Sequence, residues 1–385
     1  MKVQNKSTRA LGSAALWAGL VLAACVPQPD IASAGVTAPP KAPAVKMAQT
    51  LPARAAERRI APPAPVYVSP ATIAAQRILD ARLQAIGRGF NGDVGIAVRD
   101  IQSGWSTHYD GDVHYPQQSV SKFWVTLTAL DKVDRGLLDV NSQVTVRNED
   151  LTLFNQPIRG AMKNGSFTTT LDDLIRRAMQ QSDNTANDFI LRRAGGPEAV
   201  RAFLSAKDIE GIRFGPGERI MQSQIAGLTW RPEYSQGGAF YQARSSVAMD
   251  KRRASFEKYV EDPIDGATPL AITEALARLK KGELLSPGST QRLLAIMSNT
   301  RTGPQRLKGG LASGWSLAHK TGTGQVLGAT QSGYNDIGIV TAPDGKSYAV
   351  AVMIRQTAAP NPTRMQMMQS VTRAVIDYDR NLDAS

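Results

Sequence analysis

The chain has 385 residues, a net charge of +12 and one cysteine. A single thiol excludes an intrachain disulfide and a cysteine-based metal site. Residues 1–70 hold eight of the basic and two of the acidic residues, so half of the net charge belongs to this segment. A positive N-terminal segment suits anionic lipid or a cell wall, and we expect no nucleic-acid partner.

The first 25 residues have the pattern of an export leader. Basic residues precede the apolar stretch 11–24, which is too short to span a bilayer comfortably. The stretch ends in Leu22-Ala23-Ala24-Cys25, which resembles the bacterial lipobox. We predict a lipoprotein-type signal peptide (1–25), lipidation at Cys25 and a periplasmic or cell-surface protein anchored to a bacterial membrane. An ordinary secretory signal with an incidental cysteine is the alternative.

Residues 26–70 are rich in Pro and Ala and have almost no periodic apolar pattern. Such a segment buries too little surface to offset its ordering entropy, so we predict a disordered tether. The remaining residues, 71–385, are enough for one large domain or two closely packed subdomains.

Strand patterns lie near both ends of this folded part. Residues 93–100 alternate like a strand, and 105–109 follow a turn as its hairpin partner. Residues 336–342 and 348–354 flank Pro343-Asp344-Gly345, which is a hairpin signal. Helical patterns begin at Ser69-Pro70 and run over about 363–379.

The segment between the strand patterns is helical. Thr170 can cap one helix, and a second over 184–193 stops at Gly195-Gly196. Thr268-Pro269 and Ser286-Pro287 are typical helix starts. We predict an α+β fold (an α/β/α sandwich) with an antiparallel sheet from both termini and an inserted helical subdomain. Catalysis is expected in the cleft between the two parts.

Ser119 and Lys122 precede an apolar helical run. Their spacing of three places both side chains on one helix face, within reach of each other. A serine hydroxyl is a poor nucleophile at neutral pH and needs an adjacent base, which a partly desolvated lysine can supply. The helix N-terminus at Ser119 favours developing negative charge. Alone, the pair is equally typical of the surface of an amphipathic helix.

Two more motifs follow in the chain. Ser182-Asp183-Asn184 lies at a break between helical patterns, and Lys320-Thr321-Gly322 follows a strand-like entry. In this order, the three motifs resemble those of β-lactamases and penicillin-binding proteins. Landmarks such as Gly195-Gly196-Pro197 and Asp265-Gly266-Ala267 extend the resemblance to class A β-lactamases, from about residue 75 to the end. The resemblance implies the β-lactamase/transpeptidase-like fold.

The resemblance gives each motif residue a role in acyl transfer. Ser119 is the nucleophile, Lys122 its base and Ser182 the proton relay. Substrate is bound by Asn184, Lys320, Thr321 and Thr323, and the backbone N–H groups of Ser119 and Thr323 form the oxyanion hole. Asp183 is expected to brace its loop, and His319 to face away from Lys320 as a structural residue. We expect no cofactor and no metal, because the sequence has no metal-binding His spacing or phosphate-binding loop.

The sequence departs from the family at the residue that deacylates the enzyme. Class A β-lactamases carry Glu-Pro-Glu-Leu-Asn there, and the closest local match is Arg231-Pro232-Glu233-Tyr234-Ser235. An arginine cannot accept a proton from water. Aligned on the proline, the family glutamate falls on Arg231, so the base is expected at a shifted position, with Glu233 as the candidate and Glu218 as the alternative. The segment 206–262 is also longer than the family loop.

These motifs predict a monomeric serine hydrolase that opens β-lactam amides through an acyl-Ser119 intermediate. Two alternatives use the same residues: a D,D-peptidase or esterase acting on D-Ala-D-Ala-type peptides, and a slowly deacylating sensor of β-lactams or muropeptides. The deacylation base distinguishes them, because losing a positioned general base costs a factor of about 10²–10⁴.

Overall fold

The computed structural model describes residues 68–383. The predicted leader with Cys25, and nearly all of the predicted tether, lie outside the described residues. The helices are α1 (Pro70–Gly89), α2 (Lys122–Asp134), α3 (Leu171–Gln180), α4 (Asn184–Arg193), α5 (Gly196–Ala206), α6 (Glu218–Ile225), α7 (Ala239–Ser246), α8 (Met249–Glu261), α9 (Pro269–Lys280), α10 (Pro287–Ser298) and α11 (Asn361–Asp383). The strands are β1 (Asp93–Asp100), β2 (Ser106–Tyr109), β3 (Tyr115–Pro116), β4 (Gln143–Arg147), β5 (Ser166–Thr170), β6 (Gly266–Ala267), β7 (Ser316–Thr323), β8 (Val326–Leu327), β9 (Thr330–Thr341) and β10 (Ser347–Thr357).

The main sheet is built from both ends of the described chain. Its strand order is β2-β1-β10-β9-β7, with β8 paired to β9, and neighbouring strands are antiparallel. This confirms the predicted sheet. The hairpin β9–β10 is longer than predicted. Gln331 pairs with Thr357, and both residues lie outside the predicted strands 336–342 and 348–354.

Side chains of β10 alternate between two hydrophobic cores, as a strand buried on both faces requires. Val350 and Val352 belong to one core together with Leu83 of α1 and Val375 of α11. Ala351 and the residues two positions either side of it join the core of the helical region. Helices therefore cover both faces, and the predicted α/β/α sandwich with an inserted helical subdomain is confirmed.

Several helix starts follow the predicted capping pattern. The side chains of Thr170, Thr268 and Ser286 each accept a hydrogen bond from a backbone N–H three residues later, and each distance is 3.2 Å. The segment 206–262, predicted to be longer than the family loop, contains α6, α7 and α8. Of the helices in residues 68–383, none combines the length and apolar character needed to cross a membrane.

Candidate active site

Ser119 lies in a short 3-10 helix (Gln118–Ser121) that leads directly into α2. The preceding residue, Gln118, has a φ of 53°, which non-glycine residues rarely adopt. Three hydrogen bonds hold this conformation: the Gln118 N–H donates to Asp265 at 2.7 Å, its amide donates to Tyr259 at 2.6 Å, and its Oε1 accepts from Gln222 at 2.8 Å. Backbone strain that is fixed in this way is common at functional sites.

A second network surrounds the carboxylate of Asp265. Tyr259 donates its hydroxyl to Asp265 at 3.0 Å, so both carboxylate oxygens have a donor. Burial raises the pKa of Asp265 to about 7 and raises the pKa of Tyr259 well above its usual value. The turn that carries the nucleophile is therefore held by a buried polar network rather than by packing alone.

The structure brings Ser119 and Lys122 together. Lys122 Nζ donates to Ser119 Oγ at 2.9 Å and forms an ion pair with Glu218 Oε1. The Lys122 side chain is fully buried and that of Glu218 is 3% exposed. A hydroxyl, an amine and a carboxylate thus form one connected group, of which the amine and the carboxylate are buried.

Glu218 is the first residue of α6, and a buried aspartate fixes that end of the helix. Asp188 on α4 accepts hydrogen bonds from the backbone N–H groups of Glu218 at 3.1 Å and Arg219 at 3.3 Å. Burial, and then the charge of Glu218, raise the pKa of Asp188. One turn later, Gln222 donates to Glu218 Oε2 at 3.2 Å. The glutamate is therefore held from both its backbone and its side chain.

The second motif lies opposite the nucleophile. Ser182 has a φ of 58° and accepts a hydrogen bond from Lys320 Nζ at 3.0 Å. Asp183 caps α4 through Ala186 N–H at 2.9 Å and also accepts from Ile158 N–H at 2.6 Å, which confirms its bracing role. The Asn184 amide donates to the Leu153 carbonyl at 2.8 Å, and its Oδ1 has no partner among the described residues.

A cluster of cations and hydroxyls lines the end of β7. Arg306 donates to Thr323 Oγ1 at 2.6 Å and to the Gly322 carbonyl at 2.9 Å, and Thr321 lies 2.6 Å from the hydroxyl of Thr302. Burial lowers the pKa of Lys320 well below its usual value, and the charges of Lys122 and Arg306 lower it further. The arrangement suits a carboxylate ligand, because a carboxylate would bring a negative charge close to Lys320 and Arg306.

Strand β7 lies directly against the turn that carries the nucleophile. A Cβ at Gly322 would lie 2.4 Å from the Gln117 carbonyl oxygen, so only glycine fits there. Asn335 on β9 donates to the carbonyls of Pro116 at 2.7 Å and Gln117 at 3.0 Å. On the other face of β7, His319 Nδ1 lies 2.8 Å from Asp336 Oδ1, as expected for a structural histidine.

These groups line one cleft with a volume of about 500 Å³. Its lining residues are Ser119, Phe154, Asn155, Gln181, Ser182, Asn184, Glu218, Gln222, Tyr241, Arg244, Thr302, Arg306, Thr321, Thr323, Gly324, Gln325 and Val326. Within residues 68–383, no group of three or more His, Cys, Asp or Glu side chains is arranged to hold a metal ion. The cleft lining combines the hydroxyls of Ser119 and Ser182, the carboxylate of Glu218 and the guanidinium of Arg306, which are groups that acyl transfer can use.

The placement of Glu233 requires a correction, because the structure does not bring it to this cleft. Its side chain is 57% exposed, lies 3.9 Å from Arg231 and lines a separate surface cavity. The carboxylate in the cleft belongs to Glu218. The alignment on Pro232 was misleading, since this proline only starts a 3-10 turn (Pro232–Ser235).

Other cleft residues had weaker sequence signals. The family pattern places an amide four residues after its glutamate, and Glu218 and Gln222 have this spacing. That spacing, rather than the proline, was the useful signal. Arg306 had no comparable signal, because its contacts to β7 depend on how the connection between α10 and β7 folds back.

Comparisons with known proteins agree with this geometry. A family model described as the β-lactamase enzyme family matches residues 78–378. β-Lactamase VEB-1 of Pseudomonas aeruginosa is 25% identical over 306 residues, which cover 79% of this chain and 91% of the relative. The extended-spectrum β-lactamase PER-1 of the same species is 27% identical over 315 residues, covering 80% and 89%.

Solved structures give the same result. The TLA-3 extended-spectrum β-lactamase matches with a TM-score of 0.64 and 26% identity, over 78% of this chain and 98% of that structure. A β-lactamase from Chitinophaga pinensis matches with a TM-score of 0.62 and 25% identity, over 81% and 100%. The fold is that of the β-lactamase structures, which are hydrolases of mixed helix and antiparallel sheet. This chain belongs to the β-lactamase enzyme family.

Proposed function

We propose that this protein hydrolyses the cyclic amide of β-lactam antibiotics through an ester on Ser119. The observation that carries this proposal is the buried contact group of Ser119, Lys122 and Glu218, because it provides for both halves of the reaction. Slowly deacylating enzymes and sensors with the same motifs need only the first half. The placement of Glu218 therefore favours hydrolysis over those alternatives.

In the acylation step, Ser119 Oγ attacks the β-lactam carbonyl carbon. Lys122 Nζ, 2.9 Å away, takes the hydroxyl proton as it passes one of its own protons on toward Ser182. The carbonyl oxygen gains negative charge, which the backbone N–H groups of Ser119 and Thr323 stabilise. When the C–N bond breaks, Ser182 delivers a proton to the leaving nitrogen and regains one through Lys320 or Lys122. Lys320 Nζ already donates to Ser182 at 3.0 Å, which supports this relay.

Substrate binding uses the residues that surround this reacting centre. The ring carboxylate binds Lys320 and the hydroxyls of Thr321 and Thr323, with the guanidinium of Arg306 behind them. Asn184 donates its amide to the side-chain carbonyl of the substrate. Each of these groups lines the cleft or lies immediately beneath its wall.

In the deacylation step, Glu218 Oε2 takes a proton from water, and the resulting hydroxide attacks the ester carbonyl. The Ser119 oxygen leaves and regains a proton from Glu218 through Lys122, which contacts both groups, so the enzyme returns to its starting state. Gln222 is hydrogen-bonded to the same Oε2 atom and can orient the water. A fixed general base of this kind is worth about 10²–10⁴ in rate.

One experiment tests the proposal directly. The purified protein is mixed with a chromogenic cephalosporin and, separately, with a fluorescent penicillin, and turnover and covalent labelling are followed together. We expect sustained hydrolysis with little steady-state label, and a transient adduct on the peptide containing Ser119 by mass spectrometry. Stoichiometric, long-lived labelling without turnover would favour a peptidase or a sensor instead.

The lowered pKa of Lys320 predicts a pH dependence. The protonated lysine binds the substrate carboxylate, and this form is lost at a lower pH than in an ordinary lysine. We expect kcat/KM to fall as pH rises through this pKa, mainly through a higher KM. Lys320→Arg keeps its charge at high pH, so its decline should begin at a higher pH. Identical alkaline limbs in both proteins would contradict this assignment.

We also propose export and membrane anchoring through the N-terminal segment. The lipobox-like sequence before Cys25 and the Pro/Ala-rich segment 26–70 support a lipidated leader followed by a tether for a monomeric catalytic domain. Expressed with its own leader in a bacterium, the protein should fractionate with membranes. Cys25→Ser should move it to the soluble fraction, and unchanged membrane association would refute lipidation.

A further inference from the structure

Helix α7 brings a cationic and aromatic wall to the cleft. It lies within the segment 206–262 that is longer than the family loop, and its residues Tyr241 and Arg244 line the same cleft as Ser119. The helix is fixed by Phe240, which is 2% exposed and packs with Leu153 and Tyr234. Tyr241 and Arg244 are therefore held on a rigid support and not on a free loop.

Arg244 has no carboxylate partner in the described part of the chain. None of the ion pairs within residues 68–383 includes it, although its guanidinium lies 5.8 Å from the centre of the Tyr241 ring. Partial burial and the neighbouring charge of Arg252 lower the pKa of Arg244. An unpaired, partly desolvated guanidinium gains more from an anion than a fully hydrated one does.

An aromatic surface adjoins this cation. The ring of Phe154 lies 6.2 Å from that of Tyr241 and is inclined to it by 60°. Both side chains remain partly exposed, at 37% and 55%, and both face the cleft. A flat apolar group bound here would contact two rings while an adjacent anion reaches Arg244.

This wall is separate from the cations that serve the ring carboxylate. Arg306 is hydrogen-bonded to β7 at Gly322 and Thr323, whereas Arg244 stands on α7 with the aromatic pair. The cleft therefore has two cationic groups on different elements, Arg306 beside β7 and Arg244 on α7. The second site requires a second anionic group on the substrate.

We propose that Tyr241, Arg244 and Phe154 form a subsite for acyl side chains that carry both an aromatic ring and a carboxylate. Arg244 binds the carboxylate, and the two rings contact the aromatic group. This inference rests on the proposed β-lactam hydrolysis and adds a preference for dianionic substrates. No chemical step changes, because Arg244 acts only in substrate binding.

Carbenicillin and benzylpenicillin test the subsite, because they differ by one carboxylate beside the same phenyl ring. The measurement is the ratio of kcat/KM for the two penicillins. Arg244→Gln should lower this carbenicillin-to-benzylpenicillin ratio about fivefold, the size expected for a partly exposed ion pair. Arg244→Lys should retain most of the ratio. The matched control Arg252→Gln removes a neighbouring cation that does not line the cleft, and it should leave the ratio unchanged.

The outcomes distinguish a failure of the proposed subsite from a failure of the proposed β-lactam hydrolysis. If wild-type protein hydrolyses benzylpenicillin but Arg244→Gln leaves the ratio unchanged, the subsite is refuted and the proposed function stands. An equal drop in the ratio for Arg252→Gln would also refute it, since general charge would then explain the effect. Failure of the wild type to hydrolyse either penicillin would overturn the proposed function and this inference together.

Discussion

Glu218→Gln is expected to produce a protein that still acylates with β-lactams but releases product about 10²–10⁴-fold more slowly. The amide has nearly the shape of the carboxylate but cannot take a proton from water. Ser119 and Lys122 keep their own contact at 2.9 Å, so ester formation continues. Label from a fluorescent penicillin should therefore accumulate to one equivalent, and steady-state cephalosporin turnover should collapse after a burst.

Glu233→Gln is the matched control for this substitution. It also converts a glutamate to glutamine in the segment 206–262, but on an exposed surface away from the cleft. We expect wild-type turnover and no accumulation of label. If Glu233→Gln trapped the ester while Glu218→Gln turned over normally, the assignment of the base to Glu218 would be wrong.

The contrast between these two glutamates shows what the sequence can predict. Local helix geometry predicted that Ser119 and Lys122 lie within reach of each other, and the three motifs in order indicated their roles. Asp183 was predicted to brace its loop, which it does through the nearby Ala186 N–H and the more distant Ile158 N–H. Lys320, Thr321 and Thr323 lie on one strand, so a short motif was enough to predict that they are neighbours. These parts of the site depend on local structure that the sequence encodes directly.

Glu218 depends on contacts between segments that are distant in sequence. Asp188 on α4 fixes the start of α6 through two backbone hydrogen bonds, and these residues are 30 positions apart. Helix α7 likewise packs through Phe240 in a cluster that includes Leu153, far earlier in the chain. A local alignment on one proline contains none of this information. The strands of the sheet and the helix caps were predictable from the sequence. The position of α6 and α7 at the cleft could be seen only in the folded structure.

The ion pair between Lys122 and Glu218 links catalysis to stability, so Lys122→Met is expected to damage both. Methionine fills much of the volume but leaves Glu218 without its ion-pair partner and Asp188 without a nearby cation. Removing one partner of a buried pair typically costs about 3–5 kcal/mol. The loss of stability should be smaller at acidic pH, because a protonated carboxyl group carries no charge that a cation must balance. Acylation should slow by a factor of about 10²–10⁴ or more, since Ser119 loses its base.

Two further variants separate these effects. Ser119→Ala should abolish covalent labelling while changing the free energy of unfolding by about 1 kcal/mol or less, because it removes one hydrogen bond. The double variant with Lys122→Met and Glu218→Gln replaces both charges, so it should recover most of the lost stability without recovering acylation. Denaturant unfolding and penicillin labelling measure the two quantities on the same samples. A Lys122→Met protein as stable as wild type at pH 8 would contradict the buried pair, and one that labels at the wild-type rate would show that another group activates Ser119.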